Sequence, residues 1–117
     1  MIFGIGTDVV QVERIKQVYE RHGDRFVERL LLPAEEQAFR RASRPVRFLA
    51  MRFAAKEAVL KALGQGLGEM PLREISIVKL PSGQPEVRLS GEAQRRAEAL
   101  GAKRIHISIS HDGGYAI

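Results

Sequence analysis

Glu57 and Lys61 stand four residues apart in "RFAAKEAVLKALGQGLG" (52–68), so on a helix they share one face, with Phe53 one turn earlier. A glutamate followed four positions later by a lysine stabilises a helix with no function required. The surroundings point further. Leu60 and Leu63 belong to a buried stripe beside the pair, and the glycines of "GQGLG" offer backbone N–H groups that a phosphate can approach closely. Those glycines match neither the Gly-x-x-x-x-Gly-Lys-Ser/Thr loop of nucleotide hydrolases nor a dinucleotide fingerprint, which follows a strand. Far upstream, Asp8 reads either as a helix N-cap or as a second carboxylate for a divalent cation. Magnesium accepts two carboxylates together with waters and substrate phosphates, because it dehydrates reluctantly. In that arrangement Asp8 and Glu57 hold the metal, while Lys61 and nearby arginines hold phosphate.

A second group lies near the end of the chain. In "HISISH" (106–111), alternation puts His106, Ser108 and Ser110 on one strand face and Ile105, Ile107 and Ile109 on the other, toward the core. A polar strand face is commonly just solvated, yet two histidines and two serines within six residues equally suit the wall of a site. His111 falls at the turn, where an imidazole exchanges protons near neutral pH. Ser108 is not on a nucleophile elbow, so no hydrolase triad is argued.

The elements that must position these residues follow from periodicity. Residues 2–6 read as a short strand, and Thr7-Asp8 as a helix start before Val9, Val10, Val12 and Ile15. Helical spacing continues, broken at Gly23, through Leu31. Pro33 begins another helix, with Glu35 and Glu36 in its first turn where the helix dipole favours negative charge. Pro45 opens the next, which runs to Gly64. The period then changes to two: "ISIVKL" and "EVRL", joined by "PSGQP", form a hairpin. A polar helix over 92–100 ends at Gly101. "RIHISISH" is a strand, "DGG" a tight turn and "YAI" the start of a return strand. This order predicts one domain, 1–117, of the α+β class: a largely antiparallel sheet with helices packed on one face.

Composition bounds the rest. A hydrophobic fraction of 44% with 28% charged residues is that of a folded globular chain. The absence of cysteine excludes a disulfide framework and any thiolate metal site. No apolar run approaches the roughly 20 residues that span a bilayer, and "MIFGIGTDVV" lacks a basic leader, so a cytoplasmic protein with no membrane partner is expected. The net charge of +5 is concentrated: Arg40 to Lys61 holds seven basic residues and one acid, Glu57. Such a patch implies an anionic partner, whether phosphates, nucleic acid or an acidic protein. Aromatic residues are only 6%, with no tryptophan and no stacking platform, which argues against nucleic acid.

Three blocks, "FGIGTDVVQVERI", "FLAMRFAAKEAVLKALGQGLG" and "IHISISHDGGYA", together resemble the holo-(acyl-carrier-protein) synthases, the small bacterial phosphopantetheinyl transferases. The resemblance implies the phosphopantetheinyl transferase fold. It further implies magnesium-dependent transfer of the 4′-phosphopantetheine arm of coenzyme A to a serine of apo acyl carrier protein, releasing adenosine 3′,5′-bisphosphate, in support of fatty acid biosynthesis. Carried onto this sequence, the metal carboxylates are Asp8 and Glu57, and Lys61 sits beside the pyrophosphate. Coenzyme contacts are implied for Arg52, Gly64, Gly66, Gly83, Pro85, His106 and Ser108. Arg14, Arg21 and Arg25 with Phe26 are the implied contacts for the acidic helix of the carrier protein. The resemblance also implies a homotrimer with active sites between subunits. The serine proton needs an acceptor, for which Glu57 acting through a bound water and His111 are the two choices. A non-catalytic carrier-protein scaffold is a poorer reading, having no reason to keep both Asp8 and Glu57. Two departures stand out: Met51 replaces a usual glycine, and members of the family run several residues beyond "YA", so an incomplete last strand is expected.

Overall fold

The computed structural model describes residues 1–64 and 70–117. Four helices follow a short first strand. Helix α1 (Val12–His22) and helix α2 (Asp24–Leu30) meet at Gly23, whose φ of 55° lets the chain turn between them. Helix α3 (Pro33–Arg41) and helix α4 (Pro45–Ala62) each open on proline, as expected, because the missing N–H costs nothing in a first turn.

Helix α4 is the spine of the molecule. Its buried residues include charged Arg52, Lys56 and Glu57 as well as alanine and leucine, so the helix is enclosed over much of its circumference. Its first half, through Leu49, Ala50 and Ala54, joins a core completed by Ile15, Val27, Leu30 and Phe39. Its second half, through Val59 and Leu60, joins another completed by Met70, Ile75, Ala93 and Ala97.

The predicted hairpin is present as strands β2 (Ile75–Lys79) and β3 (Pro85–Leu89), in antiparallel register from Ile75 opposite Leu89 to Lys79 opposite Pro85. Helix α5 (Gly91–Leu100) ends on Gly101 in the left-handed conformation. The antiparallel α+β class stands, but the strands form two small sheets. Strand β1 (Val10–Gln11) and strand β4 (His111–Asp112) flank β5 (Tyr115–Ala116) in the order β1-β5-β4. The "DGG" turn is where expected, with Gly113 and Gly114 both at positive φ between β4 and β5.

Two expectations change. Among the described residues, 2–6 and most of "RIHISISH" have no ladder partner, so the regular strands begin only at Val10 and at His111. The alternation itself is right: residues 105, 107 and 109 are half-buried and 106, 108 and 110 exposed. The first helix starts at Val12, and Asp8 does not cap it; the capping position is Gln11.

Candidate active site

Glycine explains how the N-terminal segment reaches α4. A Cβ on Gly6 would lie 2.0 Å from the Ala58 carbonyl oxygen, and one on Gly4 would lie 2.0 Å from that of Ala62. Bare backbone therefore lies flush against the helix. This approach delivers Asp8 to Lys61, whose Nζ donates to Asp8 Oδ1 and to the Thr7 carbonyl oxygen, each at 3.0 Å.

Asp8 Oδ2 and Glu57 Oε1 are both buried and, among the described residues, accept no hydrogen bond. A buried acceptor left without a donor is destabilising. Burial chiefly, and then the charge of Asp8, push the Glu57 carboxyl above the ordinary glutamate range, with Lys61 pulling the other way. A divalent cation would supply what both oxygens lack. Among the described residues no group of three or more His, Asp or Glu gathers, so the protein offers two carboxylates and leaves the other positions to water and phosphate oxygens. That donor set fits magnesium.

A cavity of about 1060 Å³ opens beside Asp8, between residues 1–8, the Ala54–Ala62 side of α4 and residues 100–108. His106 and Ser108 are on its wall with Asp8. The volume suits a cofactor-sized ligand. A smaller cavity, about 510 Å³, lies at the start of α4 and is lined by Arg44, Arg47 and His111 with Gly113 and Gly114, a basic surround for an anion.

The sequence-predicted residues thus divide. Asp8, Glu57 and Lys61 come together, and Asp8 shares a cavity with His106 and Ser108. Gly64 follows the end of α4, where Arg96 Nε donates to the Leu63 carbonyl oxygen at 2.9 Å. Gly66 lies outside the described residues. Gly83 and Pro85 are at the β2–β3 turn and line neither cavity. Arg52 is buried, stacked 4.6 Å over the Phe48 ring with its Nε 3.4 Å from Glu35 Oε2, and it also lines neither. Arg14, Arg21 and Arg25 are exposed on α1 and α2. Phe26 is half-buried, its ring 6.5 Å from that of Phe53. Met51 packs against the first core.

The basic run is less of a patch than composition implies. Arg40 pairs with Asp24 and Glu36, Arg52 and Lys56 with Glu35, and Lys61 with Asp8. Four of its seven cations are therefore engaged with acids among the described residues. Sequence reasoning missed Glu35, read only as a partner of the helix dipole, because nothing local marks a carboxylate for burial. Arg44 and Arg47 were visible only as members of the run.

A family model described as the 4′-phosphopantetheinyl transferase superfamily matches residues 4–117. The chain is 47% identical over 118 residues to a holo-[acyl-carrier-protein] synthase of Halorhodospira halophila, covering 100% of this chain and 94% of that protein. It is 44% identical over 112 residues to one of Maridesulfovibrio salexigens, covering 95% and 90%. Among solved structures, the holo-[acyl-carrier-protein] synthase of Neisseria meningitidis superposes with a TM-score of 0.89 at 40% identity, covering 99% of this chain and 94% of that one. The Helicobacter pylori enzyme, solved in complex with coenzyme A, gives 0.83 at 34%, covering 96% and 93%. With residues 4–117 matched by the family model and nearly the whole chain matched by relatives and by solved structures, the chain belongs to the 4′-phosphopantetheinyl transferase superfamily.

Proposed function

We infer that this protein transfers the 4′-phosphopantetheine group of coenzyme A to a serine of apo acyl carrier protein, yielding holo carrier protein and adenosine 3′,5′-bisphosphate, in support of fatty acid biosynthesis. The observation that carries this reading is the pair of buried, undonated carboxylate oxygens of Asp8 and Glu57 beside Lys61, at the edge of a cofactor-sized cavity. It is supported by the coenzyme A complex of the Helicobacter pylori relative.

In the reaction, the serine oxygen bonds to the phosphorus that bears pantetheine while the P–O bond of the pyrophosphate breaks. Asp8 and Glu57 would hold a magnesium ion, which when bound neutralises charge developing on the pyrophosphate oxygens. Lys61 supplies a further positive charge there, and the pocket residues His106 and Ser108 orient the coenzyme. Glu57 is the assigned acceptor of the serine proton. It acts through a bound water, whereas His111 lines the other cavity.

Gly64, Gly66, Gly83 and Pro85 are assigned to the coenzyme through a homotrimer with sites between subunits, which brings together groups distant in one chain. Exposed Ile2, Phe3, Ile5, Val9 and Ile117 support such an assembly. Arg52, already held by Glu35 and Phe48, is left out of that set. Carrier docking on Arg14, Arg21, Arg25 and Phe26 completes the reading, with a cytoplasmic location consistent with a cysteine-free chain; among the described residues no helix is long and apolar enough to cross a membrane.

The test is intact-mass measurement of apo acyl carrier protein incubated with this protein and coenzyme A, with magnesium or with chelator. The carrier should gain one phosphopantetheine mass only with magnesium. An unchanged mass across several carriers would overturn the enzymatic reading.

A further inference from the structure

Behind Glu57 lies a buried ionic cluster that the reaction does not use. Lys56, the residue before Glu57, is completely buried. Its Nζ donates to the Leu30 carbonyl oxygen at the end of α2 and to Glu35 Oε1 at 2.8 Å. Glu35 is buried as well and is fully used. Oε1 also accepts from the Leu32 N–H at 3.0 Å, while Oε2 accepts from the Ile77 N–H at 3.2 Å and faces the Arg52 guanidinium. One carboxylate thus ties together the start of α3, the middle of α4 and strand β2.

Such a cluster is a poor way to gain stability. Desolvating a lysine and a glutamate is costly, and apolar side chains of similar volume commonly hold a core as well or better. What a hydrogen-bonded ion pair adds is direction. The second half of α4 presents Ala54, Ala55, Ala58 and Ala62, a smooth surface that offers few projections to fix how far the helix is turned about its axis. Consecutive helical residues point about 100° apart. Fixing Lys56 on Leu30 and Glu35 therefore fixes the direction of Glu57.

We propose that Glu35 and Lys56 are positioning residues, which set the rotation of α4 so that the Glu57 carboxylate meets Asp8. The role rests on Asp8 and Glu57 being the metal-holding pair. It predicts that weakening the latch loosens the metal site while the fold survives.

The experiment compares the parent protein, the double variant Glu35→Leu/Lys56→Met, the conservative variant Glu35→Asp and the control Glu57→Gln. Three quantities are read: manganese affinity in the presence of coenzyme A by electron paramagnetic resonance, kcat with apo carrier protein, and Tm. In the double variant the apolar pair preserves folding, manganese affinity falls about tenfold or more, kcat falls in parallel and the carrier KM stays within twofold. Glu35→Asp retains the charge but draws it back by one methylene, giving a smaller loss in the same direction, and it carries the test if the double variant fails to fold. A folded variant of either kind with parental manganese affinity and kcat overturns the positioning role, leaving the cluster purely structural. If Glu57→Gln binds manganese as the parent does, the two-carboxylate metal reading fails and this role falls with it. If Glu57→Gln weakens manganese binding and the Glu35 variants do not, the positioning role alone fails.

Discussion

Lys61 Nζ lies 3.0 Å from Asp8 Oδ1 across 53 positions of sequence, and the same ammonium holds the Thr7 carbonyl oxygen. The lysine therefore joins the N-terminal segment to α4 at the point where the two carboxylates meet. Its side chain is about half exposed, so the pair adds little to stability, less than about 1 kcal/mol. Lys61→Ala should leave Tm nearly unchanged and, on the proposed reaction, lower kcat by about a hundredfold or more through loss of a positive charge beside the breaking pyrophosphate. Thermal melting and steady-state turnover on the same preparation check both halves.

Glu57 offers a test through pH. Burial and Asp8 raise its carboxyl above the ordinary range, so the native state holds that proton more tightly than the unfolded chain does. The stability this contributes is present below the ordinary glutamate range and is lost as pH rises through the raised value. With chelator at neutral pH, Glu57→Gln should therefore melt a few degrees higher than the parent while losing about a hundredfold or more of its turnover. The parent's Tm with chelator should correspondingly decline as pH rises through that raised value. A lower Tm for the variant would contradict the electrostatic account of the site.

Gly6 sets a steric limit. Any Cβ there meets the Ala58 carbonyl oxygen, which as helix backbone cannot swing aside. Gly6→Ala should cost about 1–3 kcal/mol in urea unfolding. It should also weaken manganese binding, because the segment that moves is the one carrying Asp8.

Arg14 is exposed on α1. Arg14→Glu should raise KM for the carrier protein about tenfold and leave KM for coenzyme A within twofold, and the parent's carrier KM should rise with ionic strength. Equal loss for both substrates would assign the arginine to folding.

Much of this was legible in the residues. Pro33, Pro45 and Gly101 marked helix ends because their backbone restrictions are local, and "PSGQP" between two alternating runs marked its hairpin for the same reason. Asp8, Glu57 and Lys61 could be singled out as a metal and phosphate set, but an N-cap and a helix-stabilising pair explained the same residues, and it took the resemblance of three blocks to join them. Strand limits were not legible. The apolar run 2–6 and the alternation of 104–110 both read as strands, but a ladder also needs a neighbour at the right distance, which no local pattern encodes. Charge pairing was hidden too, since Glu35 lies 21 positions from Lys56 and 17 from Arg52.

Lys56 and Glu57, adjacent in sequence, face the core and the site respectively, and Lys61 must still reach Asp8 one turn later. Helix α4 is thereby a gauge of fixed length. Substitutions along it alter packing by degrees, but inserting or deleting one residue between Glu57 and Lys61 turns everything beyond by about 100°. Such a change would take Lys61 off Asp8 while leaving the Glu35 latch in place, so the helix that accepts many residues accepts only one count of them.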